Sequence, residues 1–290
     1  MNVFFFGMGY SSLATARALH KTVDPQIPVA GTRRNLDNVE EFADAAYRMH
    51  VFDGQSPGAT LDEDLKRATH VILSIPPDER CDPALEYHTD MLDAAAGLEW
   101  LCYFSTVGVY GDFNGAWVDE SAPTRPVNAR SQLRVHVEQQ WRDYAKRRGL
   151  PLLILRLAGI YGPGRSAFDR LRDGTARRIV KPNQVFNRIH VDDIGRATAL
   201  AAMQKLDGTF NLGDDEPAPP QDLVSYAAAL MGVPAPPDTP FETAQMTEMA
   251  RSFYSDNKRV SNKAIKSALG IELLYPTYRQ GLDAIYRQRA

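Results

Sequence analysis

The first twenty residues constrain the fold more than any other stretch. Residues 2–6, NVFFF, form a short apolar run that ends at glycines, and Ser12 to Lys21 follow with the apolar spacing of a helix. A buried strand turning through glycine into a helix is the opening unit of a layered α/β domain. The alternation continues downstream. IPVAGT at 27–32 and YRMHVF at 47–52 read as strands, with LDNVEEFADA as the helix between them. HVILSI at 70–75 is a strand, ALEYHTDMLDAAAG a helix, and WLCYFST at 100–106 another strand. These strands are apolar almost throughout instead of alternating, as expected when helices cover both faces of a parallel sheet. The fold class is therefore α/β, with a doubly wound parallel sheet.

A helix over 128–148 leads into PLLILRLAGIYG, whose first half is the strongest strand in the second half of the chain. Beyond it prolines crowd EPAPP at 216–220 and GVPAPPDTP at 232–240, which favours connections and short helices over regular layers. The expected organisation is a core from 1–160 with 183–214 returning to it, and a small substrate-binding lobe from 161–182 and 215–290. At 290 residues and 44% hydrophobic content the chain can bury a substantial core. A formal net charge of -3 offers no general attraction for nucleic acid or an anionic membrane. The two cysteines, Cys81 and Cys102, cannot build a disulfide framework. The N-terminal apolar run is too short for a secretory signal and no segment is long enough to span a bilayer. A cytoplasmic protein acting on a small molecule is expected.

The glycine turn reads GMGYSS. Gly7 allows a tight turn, Gly9 lets a pyrophosphate approach the backbone, and Ser12 is small enough for helix–strand packing where a third glycine commonly falls. The helix that follows offers free N–H groups and the positive end of its dipole to phosphate. Two glycines also permit any sharp turn, so the order strand, turn, helix carries the reading. After the second strand the chain continues through Thr32 to Arg33 and Arg34, about where a carboxylate would hold the ribose 2′-hydroxyl of NAD. Two guanidiniums there suit a 2′-phosphate, so NADP is the expected cofactor and NAD the alternative. Asp53, after the third strand, is placed to meet the adenine, and Ser74, Ile75 and Pro76, after the fourth, to line the ribose and nicotinamide side.

GMGYSS, FSTVGVYGD at 104–112, LRLAGIYGPGR at 155–165, NRIHVDDIGRA at 187–197 and FNLGDDEP at 210–217, in this order, resemble the extended and atypical short-chain dehydrogenase/reductases, the superfamily of NAD-dependent epimerases and dehydratases. The likeness spans nearly the whole chain. It implies a Rossmann fold, with Thr106, four residues before Tyr110, binding a substrate carbonyl or hydroxyl. It also implies a tyrosine acid/base and a lysine spaced Y-x-x-x-K on the next helix, with a glutamate four residues further on. Glu138 fits that glutamate, so Arg134 stands in the lysine slot and Arg130 in the tyrosine slot. Arginine stays protonated at any relevant pH and cannot pass a proton. Arg130 could stabilise an oxyanion or bind an anion, and Arg134 could hold ribose hydroxyls. Alternatively, Arg130, Arg134 and Glu138 are an exposed charged stripe at i, i+4 spacing, with Leu133, Val137, Trp141 and Tyr144 as the buried face.

The resemblance brings Tyr110, Tyr161, Arg165, Asn187 and Arg188 to the substrate, and leaves His190 and Asp192 mainly structural. It also suggests a homodimer through the helices at 83–97 and 127–148. The six histidines show no metal-ligand spacing, so no metal is expected. Two functions remain open: an NADP-dependent oxidoreductase or epimerase-like enzyme acting on a polar, sugar-like or nucleotide-sugar molecule, and a non-catalytic NADP-binding regulator.

Overall fold

Strand β1 (Val3–Phe6) is completely buried and lies between β2 (Val29–Arg33) and β4 (His70–Leu73), pairing in parallel with both. The computed structural model describes residues 1–37 and 47–288, and the helix expected over 36–45 falls, from residue 38 on, outside the described residues. A seven-stranded parallel sheet is completed by β3 (Arg48–Val51), β5 (Trp100–Thr106), β7 (Leu152–Leu157) and β11 (Gly208–Leu212), in the order β11-β7-β5-β4-β1-β2-β3. The chain leaves β1 in one direction to β2 and β3 and in the other to β4 and β5. That reversal is the topological switch point at which doubly wound sheets open a crevice beyond the strand ends.

Burial follows position in the sheet. β4 and β7 are buried at every residue, as their unbroken apolar runs require, whereas the edge strand β3 is exposed at both ends. The helices Tyr10–Thr22, Asp62–Arg67, Pro83–Ala94, Ala129–Arg148 and Val191–Gln204 fill the connections. One core joins Phe4, Phe6 and Tyr103 of the sheet to Leu92, Val137 and Trp141 of the helices. Gly195 explains how closely two helices can meet: a Cβ there would lie 2.5 Å from the Ala14 carbonyl oxygen. The helix over 62–67 was not foreseen, because Asp62, Glu63, Asp64, Lys66 and Arg67 hide its single buried residue, Leu65.

The chain divides into two compact units. The first comprises Met1–Ser105, Gln132–Arg156 and Ile194–Phe210, and the second Thr106–Ser131, Leu157–Asp193 and Asn211–Ala290. In the second unit, strands are short and pair in twos: β8 (Gly159–Tyr161) with β10 (Arg188–His190), β9 (Arg178–Val180) with β12 (Asp238–Pro240), and β6 (Trp117–Val118) with β13 (Arg259–Val260). Its core is made by Tyr161, Phe168, Leu223, Ala227, Tyr278, Leu282 and Ile285.

Candidate functional site

The turn after β1 is pinned from beneath and open above. Gly7 has φ +93°, and a Cβ there would stand 2.8 Å from Ser74 Oγ and 2.9 Å from Ile75 Cγ2, so the position accepts only glycine. Its N–H donates to Oγ1 of the fully buried Thr32 at 2.9 Å. Ser74 Oγ donates to the Gly7 carbonyl at 2.6 Å and accepts from Ser12 Oγ at 2.8 Å. Ser12 and Ser74 therefore tie the helix start and the end of β4 to the turn. Gly9 is different: it is the helix N-cap, no side chain caps that end, and a Cβ there would meet nothing within 4 Å. Free space over uncapped N–H groups at a helix start fits an approaching pyrophosphate.

Arg33 is half-buried at the end of β2 and Arg34 is exposed beside it. Asp53 is exposed, with Oδ1 accepting from the Gln55 N–H at 2.8 Å. Ile75 is half-buried against the turn and Pro76 is exposed.

The alternative of an exposed charged stripe on the long helix fails at Glu138. Glu138 is only 1% exposed and faces inward. It accepts from Arg156 Nε at 3.0 Å and Nη2 at 2.7 Å, from Ser105 Oγ at 2.6 Å, and from Arg142 Nη2 at 3.2 Å. Burial pushes its acidity down, yet Arg156 and Ser105 more than offset this and hold the carboxyl below its ordinary pKa. Val137, Trp141 and Tyr144 are buried as expected, and Leu133 is half-buried. Arg134 turns to the sheet, where Nη1 donates to Tyr103 OH and to the Phe104 carbonyl, both at 2.9 Å. Near it, Asp82 is wholly buried, accepts from Trp141 Nε1 at 3.1 Å, and is pushed up to about 6 by burial. Arg130 is exposed. Sequence reasoning missed Tyr103 and Arg156; the charge interrupting the apolar run LLILRL was the available signal that Arg156 needed a buried partner.

In the second unit, Thr106 caps the turn Val107–Tyr110, its Oγ1 accepting the Gly108 N–H at 3.1 Å. Because Oγ1 accepts there, its own proton remains available to donate. Three of the expected substrate contacts are committed elsewhere. Tyr110 is fully buried, and its hydroxyl donates to Asn211 Oδ1 at 2.8 Å. Asn187 donates through Nδ2 to the Lys258 carbonyl at 3.0 Å and accepts from the Val260 N–H at 2.8 Å. Arg188, 6% exposed, donates to the carbonyls of Phe186 and Ala218 at 3.0 and 3.1 Å. Tyr110 and Arg188 are buried, Asn187 is half-buried, and polar groups as enclosed as the first two are satisfied internally. Tyr161 is 4% exposed and packs against Gly281, while Arg165 is exposed. His190 is buried, its Nδ1 accepts the Asp192 N–H at 3.2 Å, and burial lowers its pKa to about 4, so it stays neutral. Asp193 ties down a distant segment, accepting from the N–H groups of Leu274 and Tyr275. Among the described residues no cluster of metal-ligating side chains forms, and no helix is long and apolar enough to cross a membrane.

Residues 75–213 match the NAD-dependent epimerase/dehydratase family. The chain is similar to that family over these residues, a little under half of its length. Members of the family are NAD-binding Rossmann proteins. A functionally unknown conserved protein from Silicibacter pomeroyi is 45% identical, with a TM-score of 0.89 over 99% of this chain and 98% of that one. A 3-diazoavenalumate denitrifying reductase from a Streptomyces species is 32% identical over 148 residues, which is 45% of this chain and 45% of that protein. The UDP-glucuronic acid 4-epimerase of Bacillus cereus, solved with UDP-glucuronic acid and NAD, shares the fold at a TM-score of 0.78 and 18% identity, covering 99% of this chain and 98% of that one.

Proposed function

We propose that the protein is an NAD(P)-dependent oxidoreductase acting on a polar, sugar-like small molecule, and that it works in the reductive direction. The observation that carries this reading is the open ground over Gly9 at an uncapped helix start, with the turn locked beneath it by Thr32, Ser12 and Ser74. Gly7, Gly9 and Ser12 would hold the dinucleotide's phosphates, and Arg33 with Arg34 favours a 2′-phosphate, hence NADP. When bound, the cofactor supplies hydride chemistry. Thr106, with its proton free to donate, would grip the substrate oxygen that gains negative charge on reduction.

The direction follows from the tyrosine slot. Oxidising an alcohol, as an epimerase must, requires a base for the hydroxyl proton, and a guanidinium at position 130 is none. Reduction needs a stabilised oxyanion, which solvent can then protonate. The name of the Streptomyces relative, a reductase, agrees with that direction. Two free cysteines suit a reducing compartment, and we propose the cytoplasm.

The second reading, a non-catalytic NADP-binding regulator, is favoured by Arg134, whose Nη1 is engaged by Tyr103 and Phe104. Screening polar aldehydes, ketones and nucleotide sugars for NADPH and NADH oxidation separates the two. Turnover that disappears in Gly9→Ala supports the enzyme. Tight cofactor binding with no turnover of any compound supports the regulator. Gly9→Ala is a fair control because its Cβ meets no protein atom, so the fold survives while phosphate approach is blocked.

A further inference from the structure

One residue after the tyrosine slot stands a hydroxyl with no role in the reading above. Ser131 is 6% exposed, and its N–H is taken by Asn128 Oδ1 at 2.9 Å. No described protein group takes its hydroxyl, and its oxygen is not among the fully enclosed polar atoms that lack a partner, so a ligand can reach it. Its neighbour is Thr106. A Cβ at Gly108 would stand 3.0 Å from Ser131 Oγ and 3.4 Å from Thr106 Oγ1, so both hydroxyls converge on the bare face of this glycine. Gly108 has no positive φ, so backbone strain does not demand glycine there. Leaving the two hydroxyls uncovered does.

We propose that Ser131 and Thr106 form a paired donor site for one substrate oxygen, with Gly108 holding the space open. The proposal rests on the reading of Thr106 as the residue that grips the substrate. Thr106 Oγ1 accepts from Gly108, so its proton points away from the turn, and Ser131 supplies the second proton. Two neutral donors suit the carbonyl of a ketone, aldehyde or amide, and they strengthen as that oxygen gains charge.

The test uses isobutyramide, whose carbonyl accepts hydrogen bonds as a ketone's does and which is not reduced. Its binding to the NADPH or NADH complex is followed by cofactor fluorescence. Wild type binds the amide; Ser131→Ala weakens it about tenfold, the worth of one donor lost; Ser131→Thr, which keeps the hydroxyl, binds within about threefold of wild type; Gly108→Ala abolishes binding. Cofactor affinity stays unchanged in all three, which also reports that each variant is folded. Amide binding that ignores Ser131→Ala, tolerance of Gly108→Ala, or failure of wild type to bind the amide overturns the proposal. Failure of the turnover screen with this binding pattern intact removes the enzymatic reading and leaves the paired site standing.

Discussion

Asp214 is enclosed in the second unit at 2% exposure, its Oδ1 accepts the Glu216 N–H at 3.2 Å, and its Oδ2 has no partner. Arg188 lies near enough to act on it electrostatically, yet that guanidinium spends its protons on backbone carbonyls. Burial therefore dominates, with Glu216 and Asp215 adding repulsion, and the carboxyl is pushed up to about 8 from an ordinary 3.8. Folding then raises the proton affinity of this group. Below an unfolded pKa of 3.8 both states carry the proton; between there and about 8 only the folded state does, so stability falls as pH rises; above that the full penalty of a buried carboxylate is present. At roughly 1.36 kcal/mol per pH unit, the loss between pH 5 and pH 8 is about 4 kcal/mol. Asp214→Asn mimics the protonated acid and removes the dependence. Urea unfolding of both proteins at pH 5, 6.5, 8 and 9 isolates the effect, since all other groups cancel in the difference. The variant gains on wild type steadily up to about pH 8 and then holds a constant lead. A stability difference that does not change with pH refutes the reasoning, because it means that Asp214 ionises in the folded state as easily as in the unfolded one.

Other consequences concern the first unit. Arg156→Met strands the Glu138 carboxylate, 1% exposed, and costs about 3–5 kcal/mol in chemical denaturation, whereas the double change Glu138→Leu with Arg156→Met recovers much of it. Gly195→Ala drives a methyl to 2.5 Å from the Ala14 carbonyl oxygen and lowers stability by about 1–3 kcal/mol, read as a reduced Tm. His88 is fully buried between Phe6 and Phe52, with neither ring nitrogen bonded, and His88→Leu raises stability by about 1–3 kcal/mol in the same assay. A His88→Leu variant that is less stable would mean that the imidazole is solvated in the folded protein.

Six of the seven strands of the sheet were legible because their signals are local, whereas Gly208–Leu212 was not foreseen. NVFFF, HVILSI and LLILRL are contiguous apolar runs, and burial on both faces leaves little room for another arrangement. The turn's spacing assigns Gly7 and Gly9 different duties, and their surroundings differ: a Cβ at one collides and at the other meets nothing within 4 Å. The helix at 62–67 was obscured by its charge, since five of its six residues are acidic or basic and carry almost no periodicity.

The side chains around the candidate site were less legible. Tyr110, Asn187 and Arg188 occupy positions that the family resemblance ties to substrate; Tyr110 and Arg188 are buried, Asn187 is half-buried, and each is bonded within the fold. From sequence, a polar residue that contacts a ligand and one that braces a loop look alike. Glu138 shows the same limit. Its i, i+4 spacing with Arg134 and Arg130 allowed a solvated stripe, and only the packing of the helix on the sheet turns it toward Arg156 and Ser105.

By itself the sequence determined the order of the first six strands of the sheet, the glycine turn between the first strand and the first helix, and the arginines at 130 and 134. Each follows from residues within a few positions of one another. The tertiary structure decided which polar groups are spent and which remain. Ser12 meets Ser74 across 62 residues and locks the turn, Arg134 is drawn to Tyr103, and the hydroxyls of Thr106 and Ser131 lie beside Gly108. Hydrogen bonding is satisfied between neighbours in space, and that neighbourhood exists only once the sheet and its helices have packed.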